Sequence, residues 1–218
     1  MSEARRMLAT MVALQESHNL QVASDWRTRG LKFQRAIWVE CAELLDHFGW
    51  KWWKQQTPDL GQVKLELVDI WHFGLSQLMQ EGQADDASLA DLATMLVGQL
   101  AAAPRATSLN DSAEPFRASV ESLALAALHT GSFSVDAFAA LMNGINMSWR
   151  ELFELYVGKN VLNRFRQDHG YQDGSYRKLW AGREDNAHLL EIVGDLDPTH
   201  TDYVTVLYAA LLVRYNAS

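Results

Sequence analysis

The chain has 218 residues, enough for one helical domain, and its 48% hydrophobic content is ample for a buried core. Its formal net charge of −8 argues against a nucleic-acid partner, because affinity for phosphate backbones comes largely from Lys and Arg. The single cysteine, Cys41, excludes an internal disulfide and favours a reducing compartment. Without a signal-peptide pattern or a run long enough to span a membrane, we expect a cytoplasmic single domain over residues 1–218.

Apolar residues recur at helical spacing from Glu3 to Asn19, which predicts an amphipathic first helix. The last turns of this helix carry Gln15 and Asn19. Each side-chain amide offers both a donor and an acceptor, as recognition of a nucleobase edge would require. The sequence therefore predicts a helix whose end could select a base.

A second helix is predicted from about Leu31 to Phe48, and Gly49 is a natural residue to end it. The connection that follows, Trp50 to Leu60, opens with the string WKWWK. This string interleaves three indole rings with the cations of Lys51 and Lys54. Aromatic faces next to cations suit a flat base attached to phosphates, so we expect the connection to contact a ligand.

Four carboxylates are arranged as two pairs on the second and third predicted helices. Glu40 and Glu43 form one pair and Glu66 and Asp69 the other, each spaced i, i+3 on one helix face. The third helix is apolar nearly all round from Val63 to Leu75, so it belongs in the interior, where unpaired carboxylates need a compensating cation. Carboxylate oxygens suit hard ions such as Mg²⁺ or Mn²⁺. We therefore predict a metal cluster between two antiparallel helices.

The remaining chain continues the helical pattern. A helix is predicted from Ala84 to Leu100 and a loop or hinge from Ala101 to Pro115, within a less constrained, variable insert over residues 83–130 that could move to close over a ligand. Further helices are predicted at Val135–Asn143, Ser148–Tyr156 and Asp202–Tyr215. Because no strand pattern persists, the predicted fold class is all-α, a helical bundle.

A basic stretch runs from Gly158 to Asn186 in a chain that has only 19 Lys plus Arg. Within it, Lys159, Asn163 and Arg166 lie at i, i+4, i+7 spacing and so share one helix face. Together with the acidic cluster, this stretch indicates a phosphoanhydride hydrolase, because bound metals neutralise phosphate oxygens while basic side chains stabilise the leaving group.

Several strings resemble those of a known family. The paired E-x-x-E and E-x-x-D, GWKWWK, ELVDIWHFGLS and NVLNRFRQDHGYQDGSY look like the dimeric all-α dUTPases of the MazG-like nucleoside triphosphate pyrophosphatase superfamily. The resemblance covers Gln15 to Asn186. It implies Mg²⁺-dependent hydrolysis of dUTP, and also of dUDP, to dUMP and pyrophosphate or phosphate, which keeps uracil out of DNA. It further implies attack of water at the β-phosphorus and a homodimer whose site is completed across subunits.

The resemblance also implies a role for individual residues. Gln15 and Asn19 would meet the uracil edge, with Trp53 and His72 close to the base or sugar. The residues implied as ligands of Mg²⁺, or of Mn²⁺ as a substitute, are Glu40, Glu43, Glu66 and Asp69. The residues implied near the phosphates are Lys159, Asn163, Arg166, Tyr171, Lys178 and Asn186.

Some alternatives stay open at this stage. We favour Glu43 as the general base, with Glu40 nearly equivalent, because either carboxylate could orient a water beside the metal. The same fold could act on dCTP, or on a broader or modified nucleotide set. The spacing Asp69-x-x-His72 resembles half the ligand set of a redox or storage di-metal bundle, but a second carboxylate-x-x-His helix is not apparent. A catalytically silent nucleotide-binding protein is the third alternative.

Overall fold

The structure is a computed structural model that describes residues 2–85, 88–102, 109–197 and 202–217. The helices are α1 (Glu3–Val22), α2 (Phe33–Phe48), α3 (Leu60–Gln80), α4 (Leu89–Ala102), α5 (Leu109–Thr130), α6 (Val135–Gly144), α7 (Trp149–Asp168), α8 (Asp185–Asp195) and α9 (Tyr203–Asn216). A hairpin of two short strands, β1 (Leu179–Trp180) and β2 (Arg183–Glu184), completes the described secondary structure. The predicted all-α class is confirmed.

The chain divides into two compact units, Met1–Phe153 and Glu154–Ser218. The first unit contains α1 to α6, and the second contains most of α7 with the hairpin, α8 and α9. The prediction of a single domain over residues 1–218 stays a prediction. None of the described helices combines the length and the apolar character that crossing a bilayer requires.

Helix α3 forms the core of the first unit, as its all-round apolar sequence predicts. Its side chains are buried on nearly every face between Val63 and Met79. Trp71 stacks on Phe138 of α6 with ring centroids 5.2 Å apart. Gly74 allows close packing, because a Cβ there would lie 2.6 Å from the ring of Phe133.

The pairing of α2 with α3 follows from a tight connection between them. Gly49 ends α2 with a φ of +92°, a conformation that residues with a Cβ adopt only with strain. Asp59 begins α3 by accepting a hydrogen bond from the Gln62 N–H at 3.1 Å. Its own N–H donates to the carbonyl of His47 at 3.0 Å. The end of α2 therefore lies beside the start of α3, which makes the two helices antiparallel.

The segment predicted as a variable insert contains two helices that pack on the rest of the first unit. Helix α4 contacts α1 and α6, and α5 contacts α2 and α6. The predicted loop over Ala101–Pro115 is wrong at its end, because α5 begins at Leu109 and Pro115 lies inside it. Proline removes one helical hydrogen bond, but Phe116 packs on Phe48 of α2 at 4.5 Å and holds this turn in place. Residues 103–108 lie outside the described ranges, and the predicted mobility stays a prediction.

The second unit departs most from the predicted elements. Helix α7 continues to Asp168, beyond the predicted end at Tyr156, and α8 was not predicted. The inner face of α8 carries buried polar side chains such as Asp185 and His188, so hydrophobic periodicity does not reveal the helix. The hairpin turn uses Ala181 at a φ of +47°, which is unusual for alanine and gives no turn signal in the sequence.

Candidate active site

Helices α2 and α3 bring together three of the four predicted metal-binding carboxylates. Glu40, Glu43 and Glu66 each offer an oxygen, and these oxygens all lie within 4.8 Å of one another. Glu66 is buried, Glu40 is half-buried and Glu43 is exposed. The group therefore extends from the protein interior to solvent, as a site that binds an ion and admits water must.

The fourth carboxylate, Asp69, acts on this group electrostatically. The pKa of Glu40 is raised from 4.5 to about 8, first by burial, and then by the negative charges of Asp69, Glu66 and Glu43. Charge repulsion of this kind disfavours the fully ionised state unless a cation compensates it. We call Glu40, Glu43, Glu66 and Asp69 the carboxylate cluster.

Two side chains of α2, His47 and Cys41, lie beside the carboxylate cluster. His47 of α2 places its Nε2 3.4 Å from Oε1 of Glu66, where the imidazole can orient that carboxylate. Cys41 is buried, and burial together with the charge of Glu40 raises the pKa of its thiol to about 12. In this environment Cys41 is a small buried hydrophobe, because the thiolate that a nucleophile requires is disfavoured.

Two of the residues implied at the uracil edge lie in a buried chain of hydrogen bonds between α1 and α3. Gln15 Nε2 donates to Asn19 Oδ1 at 3.0 Å. Asn19 Nδ2 donates to Ser76 Oγ at 3.0 Å, and Ser76 Oγ donates to the carbonyl of His72 at 2.9 Å. Gln15 and Asn19 are only 3% and 8% exposed. We call these four residues the amide chain.

The connection after α2 presents its aromatic side chains to solvent. The exposed fractions of Trp50, Trp52 and Trp53 are 44%, 89% and 57%, so none of the three packs in the core. Their rings contact edge to face, with centroids 5.2 Å apart for Trp50 and Trp53. Lys51 donates to Asp46 at 3.1 Å, while Lys54 is exposed. We call Trp50–Lys54 the tryptophan loop.

A groove of about 570 Å³ runs between α2 and α5 beside Glu43. Its lining residues are Trp38, Val39, Ala42, Glu43, Leu45, Asp46, Trp50, Glu114, Arg117 and Glu121. Arg117 Nε donates to the carbonyl of Gly49 at 2.7 Å, which fixes α5 to the end of α2. Helix α5, which belongs to the segment predicted as a variable insert, therefore forms one wall of the groove.

In the second unit, Asp185 is the acceptor at the centre of a buried polar network. Arg166 donates to both its carboxylate oxygens, from Nε at 2.8 Å and Nη2 at 2.9 Å, and the Tyr176 hydroxyl donates to it at 2.7 Å. Burial alone would raise the pKa of Asp185, yet the hydrogen bonds and charge of Arg166 hold it below its usual range.

Most of the phosphate-binding residues implied by the resemblance join this network. Lys159 and Arg166 both donate to Asn186 Oδ1, at 3.2 Å and 3.3 Å, and Arg166 also donates to Asn163 at 3.1 Å. The network therefore consists of Lys159, Asn163, Arg166, Tyr176, Asp185 and Asn186, and we call it the Asp185 network. The exposed ring of Tyr171 lies 6.0 Å from the Arg166 guanidinium. Lys178 instead pairs with Glu184 at 3.6 Å.

A family model described as dUTPase matches residues 7–171, a span of 165 of the 218 residues. The chain belongs to the all-α dUTPase family. It is an enzyme, a dUTP diphosphatase, which confirms the predicted family and activity. No curated protein matches the chain.

The family match covers some of the groups described above in this dUTPase and not others. The carboxylate cluster, the amide chain and the tryptophan loop lie within residues 7–171, whereas Lys178, Asp185 and Asn186 lie beyond them. dUTPases use a divalent metal, and the all-oxygen donors of the carboxylate cluster fit such an ion.

Five residues that the structure connects to the carboxylate cluster, the amide chain, the groove or the Asp185 network were not identified from the sequence. His47 had a signal, because it lies four residues after Glu43 on the same strip of α2. Ser76, Arg117, Tyr176 and Asp185 had none, because each is defined by a contact with a residue on another element.

Proposed function

We propose that this dUTPase hydrolyses dUTP, and also dUDP, in a Mg²⁺-dependent reaction at the carboxylate cluster. The products are dUMP and pyrophosphate or phosphate, and the reaction keeps uracil out of DNA. The observation that carries this proposal is the approach of three carboxylates on antiparallel helices, with ligand oxygens within 4.8 Å of one another. A MazG-like ancestry, a homodimer and a cytoplasmic location are further parts of the proposal, and they rest on the sequence resemblance and the single cysteine.

In this proposal Glu40, Glu43, Glu66 and Asp69 hold Mg²⁺, with Mn²⁺ as a substitute. A divalent ion in such a site neutralises phosphate oxygens and makes a bound water more acidic. The donor set supports a hard ion, because it offers carboxylate oxygens and no sulfur. The pKa of Glu40, raised to about 8 first by burial and then by the negative charges of Asp69, Glu66 and Glu43, supports it as well, because a bound cation would offset the part of the shift that comes from those charges.

Glu43 is the carboxylate that we propose as the general base. It is exposed and borders the groove between α2 and α5, so a water could reach it, orient on it and transfer a proton to it. Glu40 is the alternative, but it is half-buried and therefore less accessible to water than Glu43. Attack at the β-phosphorus is proposed from the resemblance.

The remaining contacts are proposed from the resemblance together with the chemistry of the side chains. Gln15 and Asn19 read the uracil edge, with Trp53 and His72 near the base or sugar. The phosphates bind basic and polar side chains, and the residues proposed for this are Lys51, Lys54, Lys159, Asn163, Arg166, Tyr171, Lys178 and Asn186. Lys159 and Arg166 are buried or nearly so and are hydrogen-bonded within the Asp185 network, so a phosphate would meet side chains whose positions are already fixed.

The test is a nucleotide panel, with release of phosphate or pyrophosphate measured with and without Mg²⁺. We expect Mg²⁺-dependent turnover of dUTP and dUDP, little turnover of dCTP, and loss of dUTP turnover in Glu66→Ala. The matched control is Asp136→Ala, which removes an exposed carboxylate from α6 and should leave activity unchanged.

Three outcomes would count against parts of the proposal. Retained dUTP hydrolysis by Glu66→Ala would defeat the metal assignment. Equal turnover of dCTP and dUTP would defeat uracil selection. Tightly bound iron in the purified protein, without Mg²⁺-dependent turnover, would instead favour the di-metal redox or storage bundle.

A further inference from the structure

Ser76 fixes the direction of the hydrogen bonds in the amide chain. It lies on α3 with no exposed surface, and its hydroxyl has one proton to donate. Its Oγ lies 2.9 Å from the carbonyl of His72, one turn earlier, and a carbonyl can only accept. The contact of 3.0 Å with Asn19 Nδ2 must then have the amide as donor. A second separation, 3.4 Å to Asn19 Oδ1, is the longest of the three.

The donor and acceptor roles at Ser76 also determine the orientation of both side-chain amides on α1. Because Asn19 turns its Nδ2 towards Ser76, its Oδ1 is the atom that accepts from Gln15 Nε2 at 3.0 Å. Gln15 therefore directs its amide nitrogen at Asn19, and its Oε1 lies on the other branch of the amide. Both side chains are at least nine-tenths buried, so bulk water cannot easily replace one of these partners.

The direction of the amides determines which base edge they complement. Uracil presents an N3–H donor beside carbonyl acceptors, whereas cytosine presents an acceptor at N3 and an amino donor at C4. The oxygen of Gln15 with an N–H of Asn19 offers an acceptor and a donor, which matches uracil. The reversed amides would match cytosine.

We propose that Ser76 is the positioning residue that sets uracil over cytosine selectivity in this enzyme. The inference rests on the proposed contact of Gln15 and Asn19 with the base. Ser76 acts through Asn19 and does not itself touch the substrate. Reversal of the amides would require the hydroxyl to rotate, donate to Asn19 Oδ1 and give up its bond to the His72 carbonyl. The loss of one neutral hydrogen bond corresponds to a factor of about fivefold to tenfold in selectivity.

The experiment compares kcat/KM for dUTP and for dCTP in the wild type and in Ser76→Ala. We expect the dUTP-over-dCTP ratio to fall by about fivefold to tenfold in the variant, while the Mg²⁺ concentration for half-maximal activity stays the same. Ser76→Thr retains the hydroxyl and should therefore keep most of the wild-type dUTP-over-dCTP ratio. The matched control is Ser122→Ala, because Ser122 makes the same bond to a preceding carbonyl at 2.7 Å on the exposed side of α5.

An unchanged ratio in folded Ser76→Ala would overturn the inference. Should that variant fail to fold, Ser76→Cys keeps the side-chain volume with a weaker acceptor, and an unchanged ratio there would overturn it equally. Asn19→Ala separates this inference from the proposed function. If Asn19→Ala leaves the ratio intact, the proposed base contact of Asn19 is wrong and the inference about Ser76 fails with it, while Mg²⁺-dependent hydrolysis of dUTP is untouched by that result. If Asn19→Ala abolishes the ratio while Ser76→Ala preserves it, only the role of Ser76 fails.

Discussion

The raised pKa of Glu40 predicts how stability depends on pH when no divalent metal is present. The unfolded chain loses this proton near pH 4.5, whereas the folded protein retains it up to about pH 8. Between these values the folded state binds the extra proton, so the free energy of unfolding falls as pH rises. The stabilisation is complete below pH 4.5 and is lost as pH passes through about 8.

The expected size follows from the shift and from the position of the side chain. A rise from 4.5 to about 8 corresponds to at most about 5 kcal/mol. Glu40 is only half-buried, and solvent screening reduces this to about 2 kcal/mol. For a chain of this size, a loss of that order lowers Tm by about 4–8 °C between pH 5 and pH 8. Saturating Mg²⁺ at pH 8 should restore it, because an ion bound only to the folded state stabilises that state.

The assay is thermal unfolding of the wild type and of Glu40→Gln at several pH values, with a chelator and then with Mg²⁺. The difference between the two proteins isolates Glu40 from other groups, including His18, whose pKa is lowered by burial and whose effect has the opposite sign. Asp136→Asn is the control for loss of a surface charge. The reasoning would be refuted if the Glu40→Gln curve ran parallel to that of the wild type across pH 5 to 8.

Two other predictions concern the proposed base and the Asp185 network. Glu43→Gln should lower dUTP turnover, measured by single-turnover kinetics, by about 10²–10⁴-fold. Nucleotide binding, measured by calorimetry, should survive. The control is Glu121→Gln, which changes another carboxylate of the same groove. Near-normal turnover would refute the assignment. Asp185→Ala leaves the Arg166 guanidinium without its carboxylate and should cost about 3 kcal/mol in urea unfolding, whereas Asp195→Ala at the exposed end of α8 should cost little. Equal losses from both variants would contradict the role of the network.

Hydrophobic periodicity predicted most of the first unit because there each helix buries one apolar face, or in α3 all of its faces. The antiparallel pairing of α2 and α3 was predicted from their two pairs of carboxylates, with Gly49 as the end of α2. The start of α3 at Asp59 was not identified from the sequence. Periodicity failed for α8, whose buried face carries Asp185 and His188. It gave no prediction of α5 either. That helix contains Pro115, a residue that usually ends helices, and contact of Phe116 with α2 holds the helix in place there.

Among the candidate site residues too, features set by local spacing were predictable and contacts set by tertiary packing were not. The i, i+3 spacing was enough to find the carboxylates, because a helix face is a local property. The direction of the Asn19 amide depends on Ser76, 57 positions away, and the pairing of Arg166 depends on Asp185. Such partners are chosen by packing, so no spacing in the sequence could have specified them.

One helix of the first unit connects the carboxylate cluster with the amide chain. Glu66, Asp69, His72 and Ser76 follow one another on α3 at intervals of three, three and four residues, so they form a polar stripe on a helix whose other faces are mainly apolar. Its ends, Glu66 and Ser76, are ten positions apart, which corresponds to about 15 Å along the helix axis. Because Trp71 and its neighbours pack α3 tightly into the core, this separation is rigid. The carboxylate cluster and the amide chain are therefore held at a fixed distance, and a ligand that engages both must match that distance as well as their chemistry.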